Sequence, residues 1–256
     1  MQRKRDKLFH FKKFSVRHDR SGMKVGTDGV LLGAWVDVAH ATHVLDIGTG
    51  TGVIALMLAQ RTEYPVKIEA IEIDELAVED ASENFTCSPW HDRLTIHHGA
   101  IQNFMASSQF DLIVSNPPFF QSSFKPPNAQ RVVARHTESL SFLELLTTVK
   151  KLLSEKGKLN VVLPNTEGLQ FIGLAKENDF YCSRKWSFRT RKEKPVERWL
   201  LEFSRIKTNP EENEILLYSS SERWLEEYQK LTQDFYLPRL EIGLHELSCK
   251  RDEKIS

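Results

Sequence analysis

The sequence has 256 residues, 40% of them apolar, with 35 basic and 35 acidic side chains. That length supports one large domain, alone or with a modest appendage, and the apolar share suffices for a normal core, which excludes a disordered or fibrous chain. Zero net charge announces no polyanion partner for the chain as a whole. Three widely spaced cysteines, Cys87, Cys182 and Cys249, exclude a disulfide framework and a CxxC metal site. No apolar run reaches the roughly 20 residues that span a bilayer, and none forms the core of a secretory signal. A soluble, cytoplasmic protein is therefore expected.

Charge is unevenly spread. Residues 1–20 carry eight basic side chains (Arg3, Lys4, Arg5, Lys7, Lys12, Lys13, Arg17, Arg20) against Asp6 and Asp19. Residues 184–198 carry seven (Arg184, Lys185, Arg189, Arg191, Lys192, Lys194, Arg198) against Glu193 and Glu197. Each run suits an RNA backbone, or simply makes a solvated face.

From about residue 43 to residue 180, apolar runs of strand length alternate with helical periodicity, the pattern of a parallel α/β sheet. The first strand, His43–Ile47, runs into Gly48-Thr49-Gly50-Thr51-Gly52 and a helix with an apolar face of Val53, Ile54, Leu56, Met57 and Leu58. A second strand is expected over residues 66–73. Asp74 then opens a helix over 75–84, and a short third strand covers 94–98. The fourth strand, residues 110–115, must stop at Asn116-Pro117-Pro118, because two consecutive prolines cannot continue a central strand. After a loop of about 20 residues come a helix (140–153), a strand (158–163), a helix (166–178) and two strands (181–188, 198–203) close enough for a hairpin. Residues 206–256 read as polar connections with one helix near 221–231.

Glycines that follow a strand and open a helix let a ligand approach the backbone closely at the carboxyl edge of the sheet. The spacing is GxGxG, not the GxGxxG of the dinucleotide fingerprint. Val53-Ile54 stands where a phosphate loop has Lys-Ser/Thr. The ligand is thus nucleoside-like and lacks a pyrophosphate. Glu72 lies 24 residues beyond Gly48, where a carboxylate accepts from both ribose hydroxyls. Asp46 reads equally as a strand-end cap for the glycine turn and as a ligand contact.

Asn116-Pro117-Pro118-Phe119 follows the fourth strand on the same edge. A planar aromatic amine is a poor nucleophile, because its lone pair is delocalised. The Asn116 side-chain oxygen and the Pro117 carbonyl are two acceptors, stiffened by proline, that favour a pyramidal nitrogen and stabilise its developing charge. Phe119 offers a face for an extruded base, worth about 1–3 kcal/mol. The plainer reading is a turn with a buried phenylalanine.

These residues resemble the amino-methylating branch of the class I methyltransferases, whose hallmark after the fourth strand is [DN]PP[YF]. Phe14-Ser15-Val16 and residues 23–35, Met-Lys-Val-Gly-Thr-Asp-Gly-Val-Leu-Leu-Gly-Ala-Trp, narrow the resemblance to the bacterial tRNA1(Val) adenine-N6 methyltransferase family, over about residues 9–205. The resemblance implies a Rossmann-like α/β fold with a seven-stranded, mostly parallel sheet ending in an antiparallel hairpin, and helices on both faces. It implies a methyltransferase domain over 1–205 and a C-terminal extension over 206–256. The implied reaction is methyl transfer from S-adenosylmethionine to adenine 37 of tRNA, in the anticodon loop, by a cytoplasmic monomer without a metal. Asn116, Pro117 and Phe119 would be catalytic, and Asn116, Phe119 and Phe120 would meet the base. Lys24, Thr27, Asp28, Asp46, Gly48, Thr49, Gly50, Gly52, Glu72, Ile73, Ala100 and Asn116 would hold the cofactor. Thr27 and Asp28 read equally as a helix N-cap.

One departure is that His98-Gly99-Ala100-Ile101 stands where many relatives carry an acid for the cofactor's adenine, which leaves backbone amides or Gln102 for that contact. Phe120, Phe124, Lys125, Arg131, Arg135 and His136 would form a lid, contact RNA, or belong to an ordered surface loop. Rival readings are a methyltransferase for release-factor glutamine or an rRNA guanine amine, a non-catalytic RNA-binding module, and an NAD-dependent oxidoreductase.

Overall fold

A computed structural model describes residues 7–22, 24–118, 140–219 and 223–237. The expectations placed on Arg3, Lys4, Arg5, Phe119, Phe120, Phe124, Lys125, Arg131, Arg135, His136 and Cys249 lie outside them.

The chain opens with the antiparallel pair β1 (Leu8–His10) and β2 (Ser15–Arg17). Alternating elements follow: α1 (Thr27–Trp35), β3 (His43–Ile47), α2 (Val53–Arg61), β4 (Lys67–Glu72), α3 (Glu75–Thr86), β5 (Leu94–His98) and β6 (Phe110–Ser115). Beyond residue 140 come α4 (Phe142–Leu152), β7 (Leu153–Pro164), α5 (Asn165–Glu177), β8 (Tyr181–Arg189), β9 (Arg198–Ser204), β10 (Glu211–Leu216) and α6 (Glu226–Thr232). Local chemistry sets several boundaries. Asp74 caps α3 by accepting from the Ala77 amide, and Ser141 with Glu144 forms a capping box on α4.

The main sheet has the order β10-β8-β9-β7-β6-β3-β4-β5, eight strands where seven were expected, and only β9 runs against the rest. The expected hairpin, β8 and β9, is present but does not end the sheet. Outside it lies β10, in a stretch that reads as a polar connection because Glu-Glu-Asn-Glu shows no apolar alternation. Its place comes from pairing with β8. Glu211 stands opposite Arg184 and Glu212 opposite Lys185, with ion pairs at 3.8 and 3.5 Å, and Glu214 accepts from Arg189.

Side chains alternate between two packed layers. Val44 of β3 joins α1 and α2 on one face, while Leu45 and Ile47 join α4 and α5 on the other. The first layer extends to both ends of the described chain. Phe11 stacks on Phe14 and on Tyr236, the Lys12 amide donates to the Phe235 carbonyl (2.8 Å), and Trp224 and Tyr228 complete the aromatic group. Among the described residues no helix is long and apolar enough to cross a membrane.

If Tyr236 anchors the β1–β2 hairpin, Tyr236→Ala will lose about 2–3 kcal/mol of stability. Hydrogen exchange should find the Lys12 amide unprotected in that variant and the β3 amides still protected.

Candidate active site

Strands β3, β4, β5 and β6 are mutually parallel, so their carboxyl ends open on one edge. Ile47 stands opposite Ser115, whose Oγ donates to the Ile47 carbonyl at 2.9 Å. The glycine turn and the Asn116 corner therefore start from paired residues.

Gly48, Gly50 and Gly52 all have positive φ (68°, 57° and 81°), the region that favours glycine. Their surroundings differ. A Cβ on Gly52 would come within 2.5 Å of the Phe85 ring, so this glycine lets α3 pack against the turn. A Cβ on Gly48 or Gly50 would meet nothing within 4 Å, since both face a cavity of about 390 Å³, within the range of small-molecule sites.

Of the residues singled out in the sequence, Gly48, Gly50, Glu72, Ile73, Ala100, Asn116 and Pro117 line this cavity, together with Gln102. Lys24, Thr27, Asp28, Asp46, Thr49 and Gly52 do not. Lys24 and Thr27 are exposed, and the N-cap of α1 is Gly26, so Thr27 and Asp28 lie inside the first turn and are not caps. Asp28 accepts from Arg198 Nε at 2.7 Å and ties α1 to β9. The sequence reading missed Ser21, Gly22, Ala77 and Leu140, which also line the cavity. A Ser-Gly pair after a basic run looks like any loop.

Glu72 cross-links two loops. Its Oε2 accepts from the Gly50 amide (2.8 Å), and its Oε1 accepts from the amides of Ile73 (2.8 Å) and Asp74 (3.0 Å). Oε1 is then saturated by its two donors, while Oε2 keeps one further lone pair. Below the turn, Asp46 is fully buried. Its Oδ2 accepts from Thr49 Oγ1 (2.6 Å) and the Ala55 amide (3.2 Å), and its Oδ1 has no partner among the described residues. Burial pushes its carboxyl up to about 7, against the pull of those two hydrogen bonds and with help from the Glu72 charge. Across the cavity, Asn116 Oδ1 is likewise buried and without a partner among the described residues. An orphaned acceptor costs free energy unless a donor meets it. Pro117 is buried behind it.

Most of the described basic side chains of the two runs face carboxylates of the same chain. Arg17 and Arg20 pair with Glu83, and Lys7 with Asp19. Arg184 pairs with the buried Glu202 and also lies 4.3 Å from the Trp35 ring centroid. Lys194 pairs with Glu197, and Arg198 with Asp28. Among the described residues, no cluster of three His, Cys, Asp or Glu side chains is arranged to hold a metal.

Comparison with known proteins points one way. Residues 21–178 match the model of the family described as "Methyltransferase small domain". A protein of Flavobacterium psychrophilum named tRNA1(Val) (adenine(37)-N6)-methyltransferase is 44% identical over 233 residues, which is 90% of this chain and 99% of the relative. A protein of Bacteroides fragilis with the same name is 45% identical, covering 90% and 98%. Among solved structures, a predicted O-methyltransferase from Agrobacterium tumefaciens superposes with a TM-score of 0.64 over 81% of this chain and 96% of its own, at 14% identity, a likeness of fold alone.

The buried Asp46 makes a pH prediction. Its carboxyl is raised from 3.8 to about 7 in the folded protein, so the folded state binds the extra proton and wild-type stability falls as pH rises through that window. Asp46→Asn can keep both acceptor bonds on one oxygen and carries no charge. Urea titrations should find the variant more stable than wild type at pH 8, by on the order of a few kcal/mol, and by less than half as much at pH 5. Equal stability differences at the two pH values would refute the assignment.

Proposed function

Because the chain belongs to the tRNA1(Val) (adenine(37)-N6)-methyltransferase family, we propose that the cavity beside the glycine turn seats the cofactor and that the Asn116–Pro117 corner grips the target amine. The reaction is S-adenosylmethionine-dependent methylation of N6 of adenine 37 in tRNA. One observation carries the site assignment: Asn116, whose side-chain oxygen is buried and without a partner among the described residues, lines the cavity that Gly48 and Gly50 leave open.

The residues fit the cofactor's parts. Glu72 Oε2 can accept from one ribose hydroxyl, Ile73 offers an apolar face for a ring, and the open side of Gly48 and Gly50 leaves room for the amino-acid end. Asp46 lies beneath the turn, where a bound cation would favour the charged form of its carboxyl. Bound S-adenosylmethionine supplies an electrophilic methyl group on a sulfonium. The protein's part is to prepare the nitrogen. Asn116 Oδ1 and the Pro117 carbonyl accept the two N6 hydrogens, draw the lone pair out of the ring and stabilise the positive charge that grows on nitrogen. Neither group takes the proton, which passes to water from an acidic ammonium.

The same reading assigns Phe119 and Phe120 to the face of the extruded base. It places adenine 37 in the anticodon loop, where bases are already unpaired and extrusion costs little. It puts the enzyme in the cytoplasm beside its tRNA, as a monomer, and direct methyl transfer from a sulfonium asks for no Lewis acid.

Asn116→Ala is expected to lower kcat by about 10²–10³-fold while changing the KM for S-adenosylmethionine little. Methyl-transfer kinetics on purified tRNA test this, and an unchanged kcat would remove Asn116 from the chemistry. Nucleoside mass spectrometry of cellular tRNA lacking the protein should show the loss of one N6-methyladenosine.

A further inference from the structure

Ser21 and Gly22, which belong to no regular element, line part of the cavity. Something else must hold them. The buried face of α3 carries two polar side chains among its alanines and Phe85. Asp80 is 0% exposed and Asn84 is 4% exposed. Both bond to the backbone of the segment that leads into Ser21; Asn84 also reaches the glycine turn, and Asp80 Oδ1 also faces the Arg20 guanidinium at 3.4 Å.

Asp80 Oδ2 accepts from the Ser21 amide at 2.9 Å and from the Arg20 amide at 3.2 Å. Asn84 Oδ1 accepts from the Arg17 amide (2.7 Å), and its Nδ2 donates to the Arg17 carbonyl (3.0 Å) and to the Thr51 carbonyl (2.9 Å). Thr51 lies in the glycine turn. One amide thus joins the glycine turn to the strap of residues 17–22, and residues of both line the cavity. The Arg17 and Arg20 ion pairs with Glu83 lie on the outer side of the same strap and are partly exposed. Exposed pairs contribute little, whereas buried bonds to backbone groups fix geometry.

We propose that Asp80 and Asn84 are positioning residues for the cofactor: they set the distance between the glycine turn and the Ser21–Gly22 pair, and so govern cofactor affinity without touching the target amine. The inference rests on the cavity being the cofactor site, and the first measurement separates the two questions. If wild-type protein does not bind S-adenosylhomocysteine by calorimetry, the cavity assignment fails and so does this inference.

Given binding, Asn84→Ala and Asp80→Ala should each raise the Kd for S-adenosylhomocysteine and the KM for S-adenosylmethionine tenfold or more. The KM for tRNA and the kcat at saturating cofactor should stay within about threefold. Asp80→Asn, which keeps an acceptor oxygen, should recover part of the affinity. Glu83→Gln, which removes only the outer ion pairs, should bind like wild type. A merely structural role predicts a lower melting temperature with unchanged affinity. Folded alanine variants whose Kd lies within twofold of wild type would overturn the proposal. Should the alanine variants not fold, hydrogen exchange on wild-type protein decides. Residues 17–22 must gain protection together with residues 48–52 when S-adenosylhomocysteine is added, and no gain at 17–22 would equally overturn it.

Discussion

The site depends on one pairing at the centre of the sheet. β3 and β6 are adjacent and parallel, with Ile47 opposite Ser115, and the Ser115 hydroxyl closes on the Ile47 carbonyl. Parallel neighbours necessarily end on the same edge. The turn that must leave the sheet after Ile47 and the corner that must leave after Ser115 are therefore brought side by side by the ladder itself. A one-residue slip would rotate Asp46 from beneath the turn to the opposite face and put Leu45 or Ile47 in its place. The placing of the glycine turn beside the Asn116 corner is thus set by the register of a single strand pair.

Around that centre, charge does structural work. The acidic strand β10 is laid along β8, where Glu211, Glu212 and Glu214 meet Arg184, Lys185 and Arg189. The acidic face of α3 receives Arg17 and Arg20. Zero net charge in this chain reflects segments that pair with one another across the fold. A basic run in a sequence has the same appearance whether its partner is a phosphate or a glutamate elsewhere in the chain. Only the tertiary pairing distinguishes them.

The elements from β3 to β9 were legible because each is announced by local chemistry: apolar runs of strand length, the glycines at positive φ, Asp74 as a cap, two prolines that stop β6. The glycine turn, Glu72 and Asn116 were legible for the same reason, being tied to strand ends. What escaped is non-local. β10 has no apolar alternation and is recruited by complementary charge, so the sheet has one strand more than expected. Asp28 looked like a cap or a pocket residue, yet it faces Arg198, 170 positions away. Gly52 looked like its two companions, and only the Phe85 ring against it shows that it serves packing. Asp80 and Asn84 gave a signal that went unread, two polar residues one helical turn apart on an otherwise apolar face.

The aromatic seam between Phe11 and Tyr236 bears on how the protein is made. The groups it joins lie far apart in order of synthesis: the Lys12 ammonium donates to the Gln233 carbonyl, 221 residues later. At about 5–20 residues per second, that separation is on the order of ten to forty seconds of translation. Throughout that interval the nascent hairpin is without the residues that clamp it, while the central strands have already emerged and can pair. The ribosome thus releases the glycine turn and α3 well before the aromatic residues that clamp the hairpin.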